Sequence, residues 1–103
     1  MNQLEELMTL IREFAKSRDW EKFHTPKNLA MAIAGESGEL AAEFQWLTSD
    51  ESDLGALSIE KLRAIRLEIA DVQIYLLRLA DVLEIDLSEA VSEKMELNES
   101  RFL

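Results

Sequence analysis

Three features of the 103-residue chain predict an all-α fold, a bundle of about four helices. Glycine and proline, the residues that most weaken a helix interior, are scarce at Gly 3 and Pro 1. β-Branched residues are sparse, which removes the usual material of strands. Apolar residues recur at three- and four-residue intervals, the period of a helix with one face turned inward.

The elements follow in order. Leu4, Leu7, Met8, Ile11, Phe14 and Ala15 share one face of a first helix over residues 2–17. The stretch SRDWEKFHTP has neither helical nor strand period and reads as an ordered loop. Thr25-Pro26 marks a helix start, with Thr as cap and Pro at the first helical position, so a second helix is expected from Pro26 to about Leu47. TSDESDLGAL breaks the pattern, and Ser58 can cap a third helix running to about Leu83. Asp86 with Glu89 three residues on resembles a capping box, predicting a fourth helix over 87–100.

Length points to a single domain over residues 1–103. A formal net charge of −10 argues against a nucleic-acid polymer and an anionic membrane surface as partners. A polyanionic small substrate stays open if cations bridge it to the protein. There is no cysteine, which excludes disulfides and thiolate metal sites and suits a reducing cytoplasm. The amphipathic pattern begins at once, with no leader-like start, and no apolar run suffices for a bilayer span. The expected compartment is therefore cytoplasmic.

The stretch GESGELAAEF poses the chemical question. At about 100° per residue, Glu36, Glu39 and Glu43 fall within an arc of roughly 60°. Leu29, Ala32 and Leu40 share that sector, while Ala30, Met31, Ala34, Ala41 and Ala42 cover much of the rest. The third helix repeats the arrangement, with Glu68 and Asp71 at i, i+3, Tyr75 one turn on, and Ile69, Ala70, Ile74, Leu77 and Ala80 around them. A helix without a polar face is normally buried, so in so short a chain two of them predict a homo-oligomer. Burying unpaired carboxylates costs several kcal/mol each, an order-of-magnitude figure, so something must neutralise them. A hard divalent cation such as Mg²⁺ takes oxygen ligands of this kind and commonly bridges to substrate phosphates. Ion pairs with Lys94, Arg78 or Arg101 are the structural alternative. A di-iron bundle is disfavoured, because it needs Glu-x-x-His on two helices and His24 lies before the second helix.

At these residues the chain resembles the MazG-like nucleotide pyrophosphohydrolases of the all-α NTP pyrophosphatase superfamily. The family signature is E-x-x-E, about 12–28 residues, then E-x-x-D. Glu36-x-x-Glu39 and Glu68-x-x-Asp71 fit at the long end of that spacing. Many members carry a further Glu just before the first, where this chain has Gly35. RDWEKFHTPKNLAMAIAGESGELAAEFQW, EIADVQIYLLRLAD and SEKMELNESRF are similar to the dCTP pyrophosphatase branch, and the similarity runs from about residue 4 to 102.

The resemblance implies an all-α domain, a homotetramer built from dimers, and Mg²⁺-dependent hydrolysis of a nucleoside triphosphate to monophosphate and pyrophosphate. It implies that Glu36, Glu39, Glu68 and Asp71 hold Mg²⁺; Glu39 or Glu36 is the candidate for orienting the attacking water. The resemblance places Trp20, His24 and Trp46 around the nucleoside, and Lys94 and Asn98 against the substrate from the last helix; Tyr75, which helical spacing puts on the acidic face of the third helix, is a further candidate for substrate binding. The favoured substrate is dCTP or a modified dCTP, with dUTP or an oxidised nucleotide as alternative. Ile11 and Phe102 stand where animal members have histidine and tyrosine. A helical oligomer acting as a non-catalytic binding or regulatory module is the rival class. Trp20 and Trp46 have an ordinary alternative too, as partly buried core residues.

Overall fold

The computed structural model describes residues 2–101, and Phe102 lies outside the described residues. It is all-helical there, with four α-helices and no strand: α1 (Gln3–Ser17), α2 (Pro26–Ala42), α3 (Ile59–Val82) and α4 (Leu87–Arg101). Short 3₁₀ turns occupy Glu21–Phe23, Asp50–Ser52 and Leu54–Ala56.

Local hydrogen bonding sets most of the helix ends. Asn2 and Glu5 form a reciprocal capping box, each side chain accepting from the other's backbone N–H at 2.8 and 3.2 Å. Each bond satisfies an N–H that the helix itself leaves unpaired. Ser58 Oγ accepts from Lys61 N at 3.0 Å to start α3, and Asp86 Oδ1 accepts from Glu89 N at 3.0 Å to start α4. α1 and α3 terminate in the same way. Asp19 and Glu84 both adopt φ 57°. Around them, Asp19 N bonds Lys16 O and Trp20 N bonds Ala15 O, while Glu84 N bonds Asp81 O and Ile85 N bonds Ala80 O. These are two Schellman motifs whose left-handed position is filled by an acidic residue rather than glycine.

α2 is shorter than its sequence pattern predicts and stops at Ala42 rather than Leu47. Beyond it the chain tightens into turns with i→i+3 bonds, from Glu43 N to Leu40 O, Phe44 N to Ala41 O and Leu47 N to Phe44 O. That tighter winding often ends an α-helix, and it takes Phe44, Gln45 and Trp46 off the helical face.

The chain divides into two compact units, one formed by residues up to Pro26 and from Leu77 onward, the other by Lys27–Leu76. In the first, Ala15, Leu77 and Ala80 are buried; in the second, Leu29 and Ile65 are. The helices lacking a polar face do not hide their apolar residues within one chain. Met31 on α2 and Leu67, Ile69 and Ile74 on α3 are exposed. Among the described residues no helix is long and apolar enough to cross a membrane.

Candidate metal centre

The second unit holds the acidic residues. α2 carries Glu36 and Glu39, and α3 carries Glu68 and Asp71. The i, i+3 spacing on each helix places each pair on one face. Carboxylate oxygens of Glu36, Glu39 and Glu68 all lie within 4.8 Å of one another. Asp71 falls outside that triplet, yet its charge acts on both Glu36 and Glu68.

These groups are under electrostatic stress. Burial pushes the Glu36 carboxyl above its ordinary value, and the charges of Glu39, Asp71 and Glu68 push it further. Burial raises Glu68 likewise, with Glu39, Asp71 and Glu43 adding to it. Glu36 Oε2 and Glu68 Oε2 are buried with no hydrogen-bond partner. An orphaned buried carboxylate oxygen is costly, and two of them facing a third glutamate call for a shared positive charge. An all-oxygen donor set of this kind suits a hard divalent cation.

Four of the protein's cations are engaged elsewhere. Ion pairs join Arg12 to Asp81, Lys22 to Asp19, Lys61 to Glu43 and Arg78 to Asp81; none of these four pairs involves Glu36, Glu39, Glu68 or Asp71. Glu43, which shares the acidic sector in the sequence, is thus set apart by Lys61 Nζ at 3.1 Å. Sequence reasoning missed Lys61. The signal was its position seven residues before Glu68, two turns back on the same face of α3.

The first unit holds an aromatic row. Phe14 and Trp20 meet edge to face at 5.5 Å between centroids, and His24 follows at 6.4 Å from Trp20, tilted by 57°. Arg18 lies over the Phe14 ring at 4.9 Å. His24 accepts at Nδ1 from Arg78 Nε at 3.1 Å. Lys94 and Asn98 lie in this unit on α4, and no hydrogen bond joins either to Trp20 or His24 among the described residues. Trp46 and the half-buried Tyr75 belong to the second unit. Neither tryptophan is a core residue: Trp20 is 42% exposed and Trp46 88%.

Comparison with known proteins first places this architecture in a class. A pyrophosphatase from Archaeoglobus fulgidus superposes with a TM-score of 0.89 at 47% identity, covering 99% of this chain and 94% of that one. The chain is also 46% identical to human dCTP pyrophosphatase 1 over 99 residues, 96% of its own length and 58% of the human protein. The mouse and cattle proteins of that name are 44% identical over the same span. No family model matches. The chain belongs to the MazG-like family of pyrophosphatases that includes the dCTP pyrophosphatases. It spans somewhat over half the length of the curated relatives it matches.

Proposed function

We propose that this chain is a Mg²⁺-dependent nucleoside triphosphate pyrophosphohydrolase, cleaving dCTP or a modified dCTP to the monophosphate and pyrophosphate. The observation that carries the reading is the trio Glu36, Glu39 and Glu68 with two orphaned buried oxygens. Human, mouse and cattle relatives named for dCTP support the substrate choice. The two compact units are read as parts of one domain, since α3 runs unbroken from one into the other.

In this reading Glu36, Glu39, Glu68 and Asp71 hold the cation. A bound Mg²⁺ neutralises phosphate charge and polarises the phosphoryl oxygens. Glu39, the exposed member of the trio, orients a water and accepts its proton, with Glu36 as the other candidate. The water oxygen bonds to the α-phosphorus, the bond from that phosphorus to the αβ-bridging oxygen breaks, and pyrophosphate departs with the electron pair. On the family resemblance, Trp20, His24 and Trp46 are the proposed nucleoside-contacting residues, and Tyr75, Lys94 and Asn98 the further substrate-contacting ones. The exposed apolar residues of α2 and α3 support self-association; the family resemblance is the ground for a homotetramer, a dimer of dimers, and the cytoplasm is the proposed compartment.

A panel of triphosphates assayed with and without Mg²⁺ tests this, with monophosphate and pyrophosphate resolved as products. We expect cation-dependent release of pyrophosphate, fastest with dCTP or a 5-substituted dCTP. A profile led by dUTP or an oxidised nucleotide would keep the chemistry and reassign the substrate. Absence of hydrolysis with every nucleotide would favour a non-catalytic helical module.

A further inference from the structure

We propose that Arg78 is a positioning residue that holds His24 as the neutral tautomer with its proton on Nε2, so that the imidazole offers one hydrogen-bond donor to an acceptor atom of the nucleobase. This rests on the nucleotide reading above.

The geometry leaves the imidazole little choice. A guanidinium has donors only, so the ring nitrogen facing Arg78 Nε at 3.1 Å must present a lone pair. With Nδ1 accepting, a neutral ring carries its proton on Nε2. A doubly protonated ring would place an N–H against an N–H and a cation against a cation. Burial lowers the His24 pKa, and the Arg78 charge lowers it further.

Arg78 is itself held. It is 7% exposed, and its Nη1 donates to Asp81 Oδ2 at 3.2 Å. Asp81 in turn receives both prongs of Arg12, Nε at 2.8 Å and Nη2 at 2.6 Å. The chain of contacts Arg12–Asp81–Arg78–His24 therefore ties α1 to α3 and ends on a half-buried ring beside exposed Trp20. Arg78 is the charged side chain that bears on the imidazole, with Asp81 and Arg12 behind it. The neutral ring has consequences for selection. It donates to a carbonyl or ring-nitrogen acceptor of a base without adding a cation that would hold phosphate indiscriminately.

His24 is the chain's single histidine, so proton–nitrogen correlation spectra report it without overlap. In the nucleotide-free native protein we expect the proton on Nε2, Nδ1 bare, and a neutral ring persisting below the ordinary titration range of about 6.5. Arg78→Met should mix the tautomers and return the titration toward that range. Arg78→Lys, which keeps a donor, should preserve the tautomer. KM for the triphosphate should rise about tenfold in Arg78→Met with kcat little changed, the loss of roughly one hydrogen bond. A non-hydrolysable α,β-imido analogue of dCTP should shift the Nε2–H signal of the native protein. A native proton on Nδ1, or a tautomer and titration unchanged in Arg78→Met, would overturn the positioning role. Should Arg78→Met fail to fold, the native spectrum and Arg78→Lys still decide it. Hydrolysis with an Nε2–H signal unmoved by the analogue would overturn this inference alone, whereas a chain that hydrolyses no triphosphate would overturn the function it rests on.

Discussion

Glu36 and Glu68 carry the heaviest electrostatic burden of any residues in the site, and their behaviour is testable without substrate. Both carboxyls sit above their ordinary values, first through burial and then through neighbouring acids. Folding therefore takes up protons at these sites, and the metal-free protein should lose stability as pH rises from about 4.5 through the raised folded-state values. Asp81 has the opposite sign. Arg12 holds its carboxyl below the ordinary value, so its contribution is present at neutral pH and is lost as pH falls through that lowered value. Thermal melts in chelator should thus peak in mildly acidic buffer, and Mg²⁺ should flatten the alkaline side. Glu36→Gln and Glu68→Gln should melt higher than the parent in chelator, lose the Mg²⁺-induced gain, and drop turnover by about 100-fold or more. A parent melt indifferent to Mg²⁺ would sink the metal assignment. Trp46 makes a separate prediction. At 88% exposed it contributes little to folding, so Trp46→Ala should leave the melt in place and raise KM for every triphosphate alike.

At the scale of the element, the helix ends are where strain is stored. Glu84 at φ 57° closes α3 in a conformation that glycine adopts without cost. Glu84→Gly should stabilise the chain by about 0.5–1 kcal/mol, the left-handed penalty less the entropy glycine adds to the unfolded state. Denaturant unfolding midpoints would show it, and a lower midpoint would mean that the glutamate side chain stabilises the turn. The shortening of α2 has a functional side. Because the helix gives way to i→i+3 turns after Ala42, Trp46 leaves the helical face that its sequence register assigns to it. Helical periodicity predicted the faces of Glu36 and Glu39 well, being within α2, and failed past its end.

At the scale of the whole molecule, large apolar side chains are left exposed on α2 and α3. Leu67, Ile69 and Ile74 on α3 are among the exposed residues. Light scattering at micromolar concentration should report a multiple of 11.8 kDa, most simply four chains. Ile69→Glu should shift the mass toward smaller species, since a charge on a buried contact is costly. A monomeric parent would leave these apolar faces without a role.

The sequence by itself determined the helices, their approximate limits, the acidic faces of α2 and α3, and the family. All of these rest on interactions within a few residues: capping bonds three positions apart, helical period, and the spacing of two short motifs. Tertiary structure decided which charges distant in the chain meet. Lys61 reaches Glu43 across 18 positions, Arg78 reaches His24 across 54, and Arg12 reaches Asp81 across 69. The sequence offered Arg78 as a counter-ion for the buried glutamates; it pairs instead with Asp81 one turn on along α3, and packing brings it to His24. The physical reason is that an ion pair's strength depends on distance and on the water removed around it, and both are set by how helices distant in the chain pack. Lys61 and Arg78 are committed to Glu43, Asp81 and His24, and the trio Glu36, Glu39 and Glu68 keeps the all-oxygen geometry on which the proposed cation site rests.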